Sequence, residues 1–312
     1  MRAEKSRREL RKNMLASCIT GGVVMLATNP LDTLKQRYQV SASATLKSRT
    51  TLSSFAVDIV RNEGVLRGLW APGLFSNIAC CSISVGVRLG TYPLIRDLVS
   101  GGDAPSAGVL MGSGLLSGAA GYFFASPLFY AKNVLQATSG LVSSEGIMVT
   151  GSRKGKRPLH RNGASVLVHA VRKNGIFAMW KGCHLLVARG AVMSSAQLSS
   201  YDGMKKLLLA KGLCADGPRL HLFASFCASV ACVTAVIPFD VVLTNYQAAD
   251  AISEQKGFRG PAHAAKSLLQ NHGFRILFRG WSAMFARMAP SSILSFFLYE
   301  QMRRSLDMGY LD

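Results

Sequence analysis

The chain has 312 residues, of which 49% are hydrophobic and 17% charged, where soluble domains carry about 25% charge. Mean hydropathy is +0.24, which argues against an ordinary soluble domain. Formal net charge is +20, so a partner should be anionic: nucleic acid, acidic lipid or a solute. Seven cysteines without a CxxC pair or metal-like spacing exclude a secreted disulfide scaffold and a zinc module.

The chain opens on "MRAEKSRRELRKNM". Residues 1–12 read as a solvated basic tail, because Glu4 and Glu9 are unusual in a transit peptide. Charge-free runs at 13–31, 104–131 and 220–239 are each long enough to cross a bilayer core of about 20 residues. Three more runs reach that length if one arginine is tolerated: 68–94 with Arg88, 182–201 with Arg189 and 280–299 with Arg287. The result is six predicted membrane helices of two alternating kinds, with both termini on one side. The connections after the odd helices are long and basic, the second carrying Arg153, Lys154, Lys156, Arg157 and Arg161. Gly114-x3-Gly118, with Gly121 beyond, and Ser225-x3-Ser229 are spaced for close helix packing in lipid.

Three markers recur in phase. Pro30, Pro127 and Pro238 each have a glutamine nine positions on, at Gln39, Gln136 and Gln247. Gly64, Gly175 and Gly273 precede the even helices, and Tyr92, Tyr201 and Tyr299 lie toward their ends. The chain is therefore a threefold repeat of a two-helix unit, assigned as 13–100, 104–211 and 217–306, and no single unit buries its own faces.

Asp32, Lys35 and Gln39 lie on one helical stripe. In a ring of three such helices the stripe faces the pseudo-threefold axis, since a charge facing lipid costs several kcal/mol. Pairing around the ring predicts Asp32 with Lys132 and Asp240 with Lys35. The third position pairs Phe129 with Leu243, so both charges are lost together and neither partner is stranded. Arg88, Arg189 and Arg287 are candidates for an anion trap around one aqueous funnel, because the guanidinium fork matches carboxylate or sulfate.

The proline motifs "NPLDTLKQRYQ", "SPLFYAKNVLQ" and "IPFDVVLTNYQ" resemble the Px[DE]xx[KR] signature of the mitochondrial carrier family, with its glutamine brace. The resemblance runs from about Met14 to Arg304. It implies an all-α membrane bundle of six helices with pseudo-threefold symmetry, located in the mitochondrial inner membrane. The matrix gate would comprise Asp32, Lys35, Phe129, Lys132, Asp240, Leu243 and the three glutamines. The family's second, cytoplasmic gate is matched by "YDGMK" and "YEQMR", which carry Tyr201, Asp202, Lys205, Tyr299, Glu300 and Arg303. In the first copy, with Tyr92 and Arg96, Pro93 stands where the acid facing Lys205 would be. Asp202–Arg303 and Glu300–Arg96 are the remaining links.

"RLGTY" and "RMAPSSILSFFLYEQM" look like the oxaloacetate/sulfate and dicarboxylate branches, and the joint loss of charge at Phe129 and Leu243 resembles the oxaloacetate group. By that resemblance Arg88, Arg189, Arg287, Ser84, Gln197 and Ser291 contact the substrate. "WKG" at Trp180–Gly182 and "FRG" at Phe278–Gly280 match cardiolipin sites, and the first copy, Trp70 to Gly73, is degenerate. The expected function is alternating-access exchange of small anions by a monomer, with membrane lipid as a further partner, no nucleic acid and no cofactor. Carriers of amino acids or nucleotides, and a basic membrane-associated scaffold, are the rival readings. No HExxH, P-loop or nucleophile elbow points to an enzyme.

Overall fold

The computed structural model describes residues 2–44, 51–100, 106–210, 218–252 and 258–305. Within its helices the side chains of Gln197, Tyr201, Asp202, Tyr299, Glu300 and Arg303 lie outside the described set. Six long helices dominate: α1 Arg2–Ala44, α3 Leu74–Ser100, α4 Ala107–Ala137, α6 Cys183–Ala210, α7 Pro218–Ile252 and α9 Trp281–Ser305. Among the described residues, five segments are long and apolar enough to cross a membrane, one each in α1, α4 and α7 and two that begin just ahead of α3 and α6. The sixth helix, α9, has 25 residues, about 37 Å at 1.5 Å per residue, and matches them in length. The basic start is helical and continuous with the first span, as α1 runs unbroken from Arg2 to Ala44.

The long helices close a ring in chain order, α1 on α3, α3 on α4, α4 on α6, α6 on α7, α7 on α9 and α9 back on α1. Leu15, Ile19, Val23 and Leu26 form one exposed stripe along α1. Such a stripe, with spacings of three and four, is the face a bilayer covers. Burial is concentrated where α1, α4 and α7 carry their prolines, and Asn29, Asp32, Thr33, Gln39, Gln136 and Gln247 are all at most 1% exposed.

That end, the loop end, is capped by three short helices: α2 Leu52–Glu63, α5 Gly163–Asn174 and α8 Pro261–His272. Each buries the same register against the bundle: Ile59, Ala170 and Leu268, five residues before its glycine. Gly64, Gly175 and Gly273 are the C-caps of these helices, at φ 77°, 79° and 73°. The left-handed conformation ends each helix and turns the chain toward the next span. One of the three sequence markers is thus a helix stop.

Two packing expectations need correction. A side-chain carbon at Gly114 or Gly118 would meet open space, and Ser225 is exposed. The close approach occurs at Gly121, where a Cβ would sit 2.5 Å from the Ser84 carbonyl oxygen of α3. Helix spacing alone does not say which small residue faces a neighbour.

Candidate substrate site and gate

The proline stripes of α1, α4 and α7 converge at the loop end. Lys35 Nζ lies 2.7 Å from Asp240 Oδ2, and Lys132 Nζ lies 3.3 Å from Asp32 Oδ2. These are the two ion pairs anticipated around the ring, α1 with α7 and α1 with α4. Phe129 and Leu243 line the same small cavity without a charge between them.

Each aspartate also receives a second cation from above. Arg189 Nε is 2.9 Å from Asp240 Oδ1, and Arg287 Nε is 3.1 Å from Asp32 Oδ1. The two oxygens of each carboxylate are thus divided between a gate lysine and a central arginine. Asn77 Nδ2 donates to Asp32 Oδ2 at 3.1 Å, and Gln39 Nε2 to Asp240 Oδ2 at 3.1 Å. Around this cavity of about 170 Å³ stand four cations, Lys35, Lys132, Arg189 and Arg287, against two carboxylates, Asp32 and Asp240.

Arg189 and Arg287 line the small cavity, and Arg88 lines a second one. With Tyr92 it lines a larger cavity of about 450 Å³ toward the opposite end, walled by Leu110, Met111 and Leu115 and by Ser194 and Ser195. Among the described residues Arg88 forms no ion pair. Ser84 sits where α3 crosses α4 at Gly121. The Ser291 hydroxyl is buried with no hydrogen-bond partner among the described residues. Of the second gate, Arg96 is 2.7 Å from its neighbour Asp97, an exposed pair, and Lys205 is half-buried. The expected partners Asp202, Glu300 and Arg303, the tyrosines Tyr201 and Tyr299, and Gln197 of the central site lie outside the described residues.

The glutamines form a cyclic brace under the gate. Gln39 of α1 reaches α7, its Oε1 accepting from Thr244 Oγ1 at 3.2 Å. Gln136 of α4 reaches α1, donating to Asn29 at 3.0 Å and Thr33 at 3.2 Å. Gln247 of α7 accepts from Asn133 of α4 at 2.6 Å. Against each glutamine presses a glycine from the preceding repeat: Gly73 on Gln136, Gly182 on Gln247 and Gly280 on Gln39. Their φ values are 64°, 82° and 84°, so both backbone shape and space exclude a side chain.

Sequence reasoning assigned those last two glycines only to lipid. The basic residues beside them are directed at protein groups: Lys181 is 2.6 Å from Asp250, and Arg279 donates to the Tyr38 carbonyl at 2.7 Å. Also missed was a buried pair within the first repeat, Arg37 with Glu63, two hydrogen bonds of 2.6 Å each. Its signal was present, an arginine seven residues past Pro30 and an acid just before Gly64, but only in one repeat.

A ring of three helix pairs, a shared charge cluster on its axis and a glutamine brace beneath define a carrier-type membrane protein. The sequence model described as Mitochondrial carrier protein matches residues 6–103, 104–212 and 216–309, and the chain belongs to the mitochondrial carrier family. It is accordingly a multi-pass protein of the mitochondrial inner membrane. The chain is 29% identical over 284 residues to the Mitochondrial 2-oxoglutarate/malate carrier protein of Sus scrofa, covering 90% of this chain and 82% of the relative. The protein of that name in Caenorhabditis elegans is 27% identical over 288 residues, covering 89% and 87%. Mitochondrial uncoupling protein 5 of Arabidopsis thaliana is 31% identical over 163 residues, half of this chain.

Proposed function

We propose that the chain exchanges small dicarboxylates, of the oxaloacetate, malate and 2-oxoglutarate type, across the mitochondrial inner membrane by alternating access. The observation that carries this reading is the charge count of the central cavity: four cations and two carboxylates leave an excess of two positive charges. Uncompensated charge in a low-dielectric site is costly. A dianion entering from the open side neutralises the excess and carries paired acceptors for two guanidinium forks. The similarity to 2-oxoglutarate/malate carriers supports the same class.

The divided aspartates supply a mechanism. Substrate carboxylates compete with Asp240 for Arg189 and with Asp32 for Arg287. Binding therefore detaches the matrix gate from the central site by replacing one charge-assisted contact with another. Because contacts are exchanged and not simply lost, the barrier stays low only when substrate is present, and this favours exchange over unidirectional leak.

The test is uptake by purified protein in liposomes preloaded with malate, offered labelled oxaloacetate, malate, 2-oxoglutarate, malonate and sulfate. Arg189→Ala and Arg287→Ala should each abolish exchange of dicarboxylates. Undiminished exchange by both variants would remove the central site.

A further inference from the structure

We propose that the matrix gate has a third latch, built not from the ring of gate residues but from the connection between α4 and α5, with Arg153 as its positioning residue. The ring of contacts at the gate is uneven. α1 is tied to α4 by Asp32–Lys132 and to α7 by Lys35–Asp240. Between α4 and α7 the corresponding positions are Phe129 and Leu243, and Asn133 donates to Gln247 across that seam.

The connection crosses that same seam. It is a built structure, with a tight hairpin in which Ser143 N–H donates to Ile147 at 2.8 Å and Val149 N–H to Leu141 at 2.8 Å. Thr150 Oγ1 accepts from Leu141 N–H at 2.8 Å, and Met148 is 3% exposed. Gly151, at φ 84°, lets the chain pass so close to Ser139 that a Cβ would meet the Ser139 carbonyl oxygen at 2.3 Å. Two successive residues after this turn reach opposite helices. Ser152 Oγ donates to the carbonyl of Ala137, the last residue of α4, at 2.9 Å. Arg153 Nη1 donates to the carbonyl of Ala251, in the last turn of α7.

The chemistry suits a latch. Carbonyls in a helix's last turn have no partner within the helix and carry the negative end of its dipole, so a guanidinium there is held by charge as well as by hydrogen bonding. The bond joins residues 98 apart in sequence, and the matrix ends of α4 and α7 separate only if it breaks. A hydrogen bond involving a charged group contributes more than a neutral one, so it can stand in for the ion pair that Phe129 and Leu243 do not form. The strap thus does at the rim what Phe129 and Leu243 do not do at the axis.

This inference rests on the gate assignment above, so the experiment separates the two. Cys81 lines the gate cavity. A variant retaining Cys81 as its sole cysteine is reconstituted, and a membrane-impermeant maleimide is added from the matrix side without substrate. Lys35→Ala should raise the labelling rate. If it does not, the gate assignment fails. Arg153→Ala should raise the rate about tenfold, as expected for a loss near 1.4 kcal/mol, and Arg153→Lys, which keeps a charged donor, should retain most of the protection. The decisive arm is rescue: Phe129→Asp with Leu243→Lys, which restores an ion pair across the seam, should return Arg153→Ala to slow labelling. If Arg153→Ala does not fold, Ser152→Ala takes its place in the same design. Wild-type labelling of the strap variant beside a responsive Lys35→Ala, or an increase that the restored ion pair leaves undiminished, would overturn the latch.

Discussion

At the scale of single residues, the site depends on charges that are shared between two roles. Arg189 and Arg287, the proposed substrate contacts, also hold Asp240 and Asp32. Removing either should abolish transport at a smaller cost in thermal stability than the about 3–5 kcal/mol of a stranded buried charge, since each aspartate keeps its lysine. Arg189→Ala should show both effects, read as a lowered unfolding temperature in detergent beside lost exchange. Adding Asp240→Asn to Arg189→Ala should lower the unfolding temperature further, because it also strands the buried Lys35, and should recover none of the exchange. Gly182 makes a different kind of prediction. At φ 82°, with a Cβ only 2.8 Å from Leu243 Cδ1, Gly182→Ala should destabilise by about 1–3 kcal/mol, measured by the same melting assay.

At the scale of elements, the three short helices at the loop end pack against the long helices and hold their register. The Arg37–Glu63 pair links α1 to the end of α2, with both side chains at most 5% exposed. Glu63→Gln keeps the size but leaves Arg37 uncompensated, and should loosen the first repeat, detected as faster proteolysis in the connection between α1 and α2. The strap carries its own pH dependence. His160 packs its ring 5.2 Å from that of His169 on α5. Burial, then the neighbouring His169 and Arg153 charges, push its pKa down to about 4. The unfolded segment takes up its proton near 6.5, before the folded one does. Stability from this contact is thus complete above about pH 6.5 and declines as pH falls toward 4. Melting temperature measured from pH 8 to 4.5 should fall in that lower window, and His160→Gln should flatten the decline.

At the scale of the whole molecule, the proposed gate is uneven. Two ion pairs and an apolar contact close the axis where the threefold pattern has room for three pairs. Adding the third by Phe129→Asp with Leu243→Lys in the otherwise unaltered chain should slow exchange by up to about tenfold while raising the melting temperature, because an opening gate must then break one more contact. Equal exchange rates would mean that gate opening does not limit turnover.

Much of the architecture was legible in the chain. Charge-free runs determine helices, because a backbone in lipid has no other way to satisfy its hydrogen bonds. Three markers in phase determine a cyclic repeat, and the residues two and five places past each proline, charged at four of the six positions, determine which side chains meet at the axis. What the tertiary structure alone decided are relations between separate repeats: glycines wedged against the next repeat's glutamines, aspartates divided between lysine and arginine, and a connection that reaches α7. Periodicity along one helix reports the face a residue occupies, but not the depth, partner or rotation at which another helix arrives. Those follow from how three bent pairs pack into a closed ring, a property no single segment carries.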